Sequence, residues 1–211
     1  MRIGELSARS QVSVATIKYY LREGLLPAGT ATAANQATYT EAHLERLRLI
    51  RALIEVGGLS VAQARGVLDA VDSPDVPPHS MLGAAHHAVT RTPRRDTANP
   101  AWQGARAEVE ELVRRRGWQV DPGSPGIDQA ADAVRAMRAL GQDDLLDSMD
   151  TYASAAETVA AKELDLVVAR RDPVRMVEGV VTGTVLGEVL LTALRLLAQQ
   201  DASKRRLAGP P

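Results

Sequence analysis

None of the 211 residues is a phenylalanine, and aromatic residues make up only 3% of the chain. A core built with so few rings has to come from Ala, Leu and Val side chains, a composition that favours helices over sheets. We therefore predict a mainly all-α fold. Cysteine is absent as well. That absence excludes disulfides and thiolate metal sites, and we expect neither a bound metal nor a cofactor.

The charge is balanced overall but uneven along the chain. The 25 Lys and Arg residues stand against 26 Asp and Glu, a formal net charge of −1, which excludes a strongly basic nucleic-acid coat. Residues 1–51 hold seven basic and four acidic side chains, so this segment has a formal charge of +3. A positive charge suits binding to the negatively charged phosphates of a nucleic acid.

One apolar stretch, Val174–Leu197, is long enough to cross a bilayer. It contains Glu178, Glu188 and Arg195, and charged side chains inside a membrane are costly. The stretch is better interpreted as a buried interface helix, and we expect no membrane contact. Because Met1–Glu5 lacks the apolar segment of a signal peptide, we predict a cytoplasmic protein.

Prolines mark the domain boundary. The run Asp72–His79 holds three of them. The predicted domains are a helix-turn-helix domain over 1–72, a proline-containing linker with a short helix over 73–100, and a helical domain over 101–211. Within the last domain, apolar spacing predicts one continuous helix over 144–171 and a final helix from Pro173 to about Gln200.

The first fifty residues have the punctuation of a helix-turn-helix. Ser13 is a good N-cap for a helix over 14–23, which Gly24 ends, and residues 28–38 could form a small β-hairpin wing. The second helix of such a motif lies in the DNA major groove, where its side chains reach base edges and phosphates. The candidate DNA-binding residues on this helix are Ser13, Thr16, Lys18, Tyr19 and Arg22.

Four separated segments resemble the winged helix-turn-helix head of the MerR family of transcriptional regulators. In chain order they are Ile3–Leu6, Val12–Tyr20, Arg22–Pro27 and Tyr39–Glu41. The resemblance covers about residues 1–70. It implies a homodimer that binds an inverted repeat in double-stranded promoter DNA, acts there on RNA polymerase, and responds to a small-molecule effector bound by the C-terminal domain. It also implies that Tyr39 belongs to the DNA-binding wing.

Two positions depart from the family pattern. Ala15 and Ala37 stand where the family usually has cationic side chains. The loss of two cations should weaken DNA binding and its salt dependence, unless Arg46 or Arg48 on the next helix compensates. Of these two, Arg46 is the further candidate DNA-binding residue. The alternative function is a helical protein-interaction module that has kept the head but lost DNA binding.

The prolines between residues 74 and 100 exclude the uninterrupted dimerisation helix that follows the head in this family. The final helix offers another interface, because Gly179, Gly183 and Gly187 form one stripe along which two helices can approach closely. Leu190 and Leu194 supply apolar area beside it. The alternative is that the glycine stripe packs within one subunit.

The second domain has no motif that identifies an effector. Trp102, Trp118 and Tyr152 could line a pocket for a hydrophobic or organic ligand, although the tryptophans could equally fill gaps in the core. Glu188 would suit a cationic ligand if it is buried. The chain has no GxSxG, P-loop or dinucleotide fingerprint, and we expect no enzymatic activity.

Overall fold

The computed structural model describes residues 1–33, 36–72, 96–170 and 173–207. The contacts divide the chain into two compact units. The first comprises Met1–Asp75 and Val181–Pro211, and the second comprises Val76–Val180. Each unit has its own packing and is described separately below.

The N-terminal part of the first unit, which we call the head, consists of four short helices and one hairpin. In chain order its elements are α1 (Ile3–Ser10), α2 (Val14–Arg22), β1 (Thr30–Ala33), β2 (Gln36–Thr38), α3 (Glu41–Arg51), which continues as a π-helical turn (Ala52–Val56), and α4 (Val61–Val71). The strands are antiparallel, with Thr30 opposite Thr38 and Ala31 opposite Ala37. The hairpin therefore stands where the sequence predicted a small wing.

The head has an aliphatic core. Its fully buried side chains come from all four helices and from the segment after α2, and they are Leu6, Ile17, Leu25, Leu26, Leu44, Leu47, Ile50, Leu53, Val67 and Leu68. Apolar residues at helical spacing give each short helix one buried face. Packing of these faces stabilises helices that are too short to be stable alone.

The second unit is built on an antiparallel helix pair. Its elements are α5 (Pro100–Arg116), α6 (Pro125–Ala139), a 3-10 helix (Asp143–Ser148) and α7 (Met149–Val168). Asn99 caps α5, since its side-chain oxygen accepts hydrogen bonds from the backbone N–H of Ala101 and Trp102. Between α5 and α6 lies a small core of Trp102, Ala105, Val109, Ile127, Ala131 and Val134.

The last helix, α8 (Pro173–Leu207), contributes to both units. Val181 and Val185 are buried, and a Cβ added to Gly57 of the head would strike the Val185 side chain. From Glu188 to Leu207 the residues of the helix are exposed, apart from the half-buried Ala202. By length and composition, Glu178–Leu207 is one segment among the described residues that could cross a membrane.

The mainly all-α prediction is confirmed, and two helix boundaries differ from expectation. The predicted helix over 144–171 begins as a 3-10 turn, and its α-helical part ends at Val168. The final helix runs to Leu207 rather than ending near Gln200. Basic residues in its last turn stabilise this extended helix because they lie at the negative end of the helix dipole. Arg205 also pairs with Asp201 one turn earlier. Most of the predicted linker, residues 73–95, lies outside the described residues.

Replacing Trp102 with alanine should destabilise the second unit by about 3–5 kcal/mol, because a 7% exposed indole leaves a cavity between α5 and α6. The half-buried Trp118 provides the matched control. Urea unfolding followed by circular dichroism should give a lower midpoint for Trp102→Ala than for Trp118→Ala. Equal midpoints would contradict the assignment of Trp102 to the core.

The stability of the second unit should fall in acid partly through Asp150. Hydrogen bonds from Arg116 and then Arg115 hold the pKa of this carboxyl below its usual range. A depressed folded-state pKa stabilises the fold above the ordinary value of about 4, and the stabilisation is lost as the pH falls through the folded-state value. Thermal unfolding between pH 3 and 7 should therefore depend less on pH in Asp150→Asn than in the exposed control Asp147→Asn. Identical pH dependence in the two variants would contradict this role.

Candidate DNA interface and C-terminal cavity

The start of α2 is fixed by a side-chain cap. The Ser13 Oγ accepts a hydrogen bond from the Thr16 backbone N–H at 3.0 Å and lies 2.8 Å from the Thr16 hydroxyl. The cap satisfies a backbone donor that has no partner inside the helix. Ser13 and Thr16 therefore form one polar group at the N-terminal end of α2.

The outer face of α2 carries the cationic side chains. Lys18 and Arg22 are exposed, and the Arg22 guanidinium carbon lies 5.3 Å from the centre of the half-buried Tyr19 ring. On the opposite face, Ile17 and Tyr20 are buried in the head. Lys18 and Arg22 are four residues apart, so they lie next to each other on the solvent side.

Two arginines from neighbouring helices hold the chain just after α2. Arg46 on α3 donates from Nε to the Leu25 carbonyl at 3.1 Å and pairs with Asp72 through both terminal nitrogens, at 3.0 and 2.5 Å. Arg65 on α4 donates to the Glu23 carbonyl and pairs with the Glu23 carboxylate at 3.2 Å. These contacts fix the C-terminal end of α2 against α3 and α4.

The hairpin is joined to the rest of the head at Tyr39. The Tyr39 backbone exchanges hydrogen bonds with Met1, at 2.7 and 2.8 Å, and its ring is 6% exposed and meets His43 edge-on. A Cβ added to Gly29, where β1 is about to begin, would lie 2.7 Å from the Thr38 carbonyl oxygen. Only glycine fits this close approach of the two strands.

The structure thus separates the seven predicted DNA-binding residues into two groups. Five lie at the N-terminal end or on the outer face of α2. The other two, Tyr39 and Arg46, face inward: the Tyr39 ring is buried and the Arg46 side chain is 12% exposed. The Arg46 guanidinium is engaged by Leu25 and Asp72, and the Tyr39 ring packs against His43.

An ion pair between α1 and α3, which the sequence did not predict, also orients the head. Arg9 of α1 donates to both carboxylate oxygens of Glu41 on α3, at 2.5 and 2.8 Å, and holds the pKa of Glu41 below its usual range. The two residues are 32 positions apart. No local pattern links residues so distant in the chain, so the sequence held no signal for this pair.

In the second unit the structure brings together some of the predicted ligand-binding residues. Trp118 and Tyr152 line a cavity of about 290 Å³ together with Met137 and Met149. Trp102 lies elsewhere, in the core, and its indole N–H donates to Asp132 at 2.9 Å. Trp118 also borders a more polar cavity of about 400 Å³ on its other side.

On α8, the structure shows the surroundings of Glu188 and of two glycines from the predicted stripe. Glu188 is exposed, so the buried carboxylate expected for a cationic ligand is not found in the single chain. Gly179 is buried, and a Cβ added there would lie 2.8 Å from the Arg170 guanidinium, which corresponds to packing within one subunit. Gly183 has no atom within 4 Å of such a Cβ, and both Leu190 and Leu194 are more than half exposed.

Comparisons with known proteins agree with the arrangement of the head. The family model for the MerR helix-turn-helix regulatory proteins matches residues 1–71. The HTH-type transcriptional regulator ZntR homolog of Haemophilus influenzae is 42% identical over 50 residues, which make up 24% of this chain and 37% of that relative.

A solved structure extends the similarity beyond the head. The crystal structure of SCO5550 from Streptomyces coelicolor A3(2), a protein provisionally assigned as a transcriptional regulator, superposes with a TM-score of 0.73 at 39% identity. The match covers 100% of both chains. With its helix-turn-helix head, its hairpin wing and this full-length likeness, the chain belongs to the MerR family of helix-turn-helix transcriptional regulators.

Proposed function

We propose that this regulator is a cytoplasmic homodimer that binds inverted repeats in double-stranded promoter DNA, acts there on RNA polymerase, and responds to a small hydrophobic or organic molecule. The observation that carries the DNA-binding part is the outer face of α2, where Lys18 and Arg22 are exposed beside the capped end formed by Ser13 and Thr16. A helix with this surface fits the recognition position of a helix-turn-helix.

The individual contacts follow from where each group lies on α2. Residues near the N-terminal end of a recognition helix contact base edges, so we propose that Thr16 and the Ser13 hydroxyl face the bases. Lys18, Arg22 and the Tyr19 hydroxyl are proposed to bind phosphates, which position the helix without reading sequence. We propose structural roles for Tyr39 and Arg46, since both are engaged inside the head.

Ala15 and Ala37 limit the affinity that this surface can have for DNA. Ala15 is exposed on α2 and Ala37 is half-buried on β2, and neither offers a charged or hydrogen-bonding side chain to DNA. Fewer cations mean fewer displaced counterions and a shallower dependence of affinity on salt. We therefore propose moderate affinity for each half-site, with the dimer supplying the second half-site.

The dimer interface is proposed to lie on the C-terminal half of α8. Apolar side chains that are 40–61% exposed cluster there, namely Val189, Leu190, Leu191, Leu194, Leu196 and Leu197. An apolar surface of this length on one helix is rarely left in water, and a second copy of the helix would cover it. Gly183 and Gly187 precede this surface, and the open space beside Gly183 would admit a partner helix.

Lys18→Ala should weaken binding to DNA from upstream of the protein's own gene about 10–100-fold, since the homodimer loses one charged contact of about 1 kcal/mol in each half-site. If Lys18 binds phosphate, the slope of log K against log salt should also become shallower by about 2, because the homodimer no longer neutralises one phosphate in each half-site. Fluorescence anisotropy at several salt concentrations measures both quantities.

The matched control for this experiment is Lys162→Ala, which removes the same charge from an exposed position on α7. It should bind DNA as the wild type does. Equal affinities of the two variants would contradict a DNA contact by Lys18. Wild-type binding no tighter than to random DNA at every salt concentration would favour the alternative, a helical protein-interaction module.

A double variant, Leu190→Asp with Leu194→Asp, should convert the dimer into a monomer. Four leucines leave the two-fold interface, and at about 1 kcal/mol for each half-exposed side chain the dissociation constant should rise at least about a thousandfold. Sedimentation velocity across a concentration series measures the change. Leu140→Asp, at a 74% exposed site after α6, is the control and should remain dimeric. A double variant that stays dimeric would place the interface elsewhere.

A further inference from the structure

An apolar cavity lies beside Trp118, between helices of the second unit. Side chains from α5, the segment after it, α6, the 3-10 helix and α7 line it, and the larger ones include Leu112, Trp118, Met137, Leu146, Met149 and Tyr152. Its volume of about 290 Å³ is at the lower end of the range for small-molecule sites. Two methionines beside two aromatic rings form a polarizable lining that adapts to planar apolar molecules.

No charged side chain is found among the described residues that line this cavity. A bound ion would therefore lose its hydration without gaining a partner of opposite charge, which is strongly unfavourable. An uncharged molecule loses little on entry and gains the apolar surface of the lining. The lining thus selects by charge as well as by size.

Glu157, which follows the lining residue Ala156 in the chain, is already engaged by other side chains. Glu157 accepts a hydrogen bond from the Trp118 indole N–H at 2.7 Å, and its other oxygen lies 3.4 Å from the Arg116 guanidinium. Arg116 in turn binds Asp150 at 2.8 Å and the Ser154 hydroxyl at 3.1 Å. Glu157 is therefore a positioning residue that orients the indole, and its negative charge is offset by Arg116.

The mouth of the cavity exposes apolar surface to water. Leu145 and Tyr152 stand at the opening and are 51% and 50% exposed. A molecule seated against Trp118 would cover both side chains, and burial of apolar surface is the main source of affinity in such sites.

We propose that this cavity binds an uncharged, aromatic small molecule, which stacks on Trp118 between Met137 and Met149. The inference rests on the ligand response in the proposed function and names both the site and the charge class of the effector. A cationic effector, which an acidic residue such as Glu188 or Glu157 would have attracted, is disfavoured because neither carboxylate faces the cavity as a free charge.

Three probes test the charge class on the full-length protein. N-phenyl-1-naphthylamine is uncharged, 1-anilinonaphthalene-8-sulfonate adds a sulfonate to the same skeleton, and tetraphenylphosphonium is a cation. Titration should show saturable binding of N-phenyl-1-naphthylamine at least about tenfold tighter than of either ion, a difference of about 1.4 kcal/mol. Tighter binding of the cation, or no saturable binding of the neutral probe, would overturn the proposal.

Variants locate the site. Ala156→Phe fills the cavity from an exposed position on its lining, and it should weaken the affinity for the neutral probe at least about tenfold. The control, Ala155→Phe, adds the same ring at an exposed neighbouring position outside the lining. It should leave the affinity for the neutral probe nearly unchanged. Equal effects of the two phenylalanines would contradict the site.

DNA binding is measured separately on the same variants by anisotropy without any probe. The cavity variants should bind DNA as the wild type does, because none of them alters the head. Probe binding in the cavity by a protein that fails to bind DNA would support this inference and refute the proposed function. DNA binding by a protein whose cavity takes no neutral probe would support the proposed DNA-binding function and refute this inference.

Discussion

The orientation of α2 depends on two arginines that hold the backbone beyond its last turn. Carbonyls at the end of a helix have no partners within it, and Arg65 and Arg46 bind those of Glu23 and Leu25. These hydrogen bonds join α2 to α4 and α3, so the outer face of α2 is set by the core of the head. A surface that reads DNA requires such support, because a small displacement of the helix moves its side chains out of hydrogen-bonding distance.

Local signals predicted the elements around α2 because each acts within a few residues. The Ser13 cap forms as expected, and Gly24 adopts a φ of +75° just after the helix. The surroundings of Arg46 could not be predicted in this way. Its partner, Asp72, is 26 residues away, so no local pattern indicated that a carboxylate would lie beside it. The burial of Tyr39 likewise depends on contacts with distant residues such as Met1.

The two tryptophans of the second unit show that residue type alone does not predict where a side chain lies. Both were candidates for a ligand pocket or for the core, and only the fold separates them. Trp102 lies in the first turn of α5, on the face that packs against α6. Trp118 follows Gly117, whose φ of +69° ends α5 and turns the chain, so its indole leaves the helix pair and borders the two cavities. The turn at Gly117 therefore places one tryptophan beside the cavities, while the other remains in the core.

The last helix offers a dimer contact that does not require an uninterrupted helix directly after the head. α8 is continuous from Pro173 to Leu207, its first residues belong to the unit that holds the cavity, and Val185 packs against Gly57 of the head. The remaining turns carry the exposed leucines. Within the first unit, the buried Val185 side chain and the exposed leucines lie on one continuous helix, so the packing of Val185 against the head fixes where the leucine surface begins. In the proposed dimer, this helix would therefore join the interface directly to the head of its own subunit.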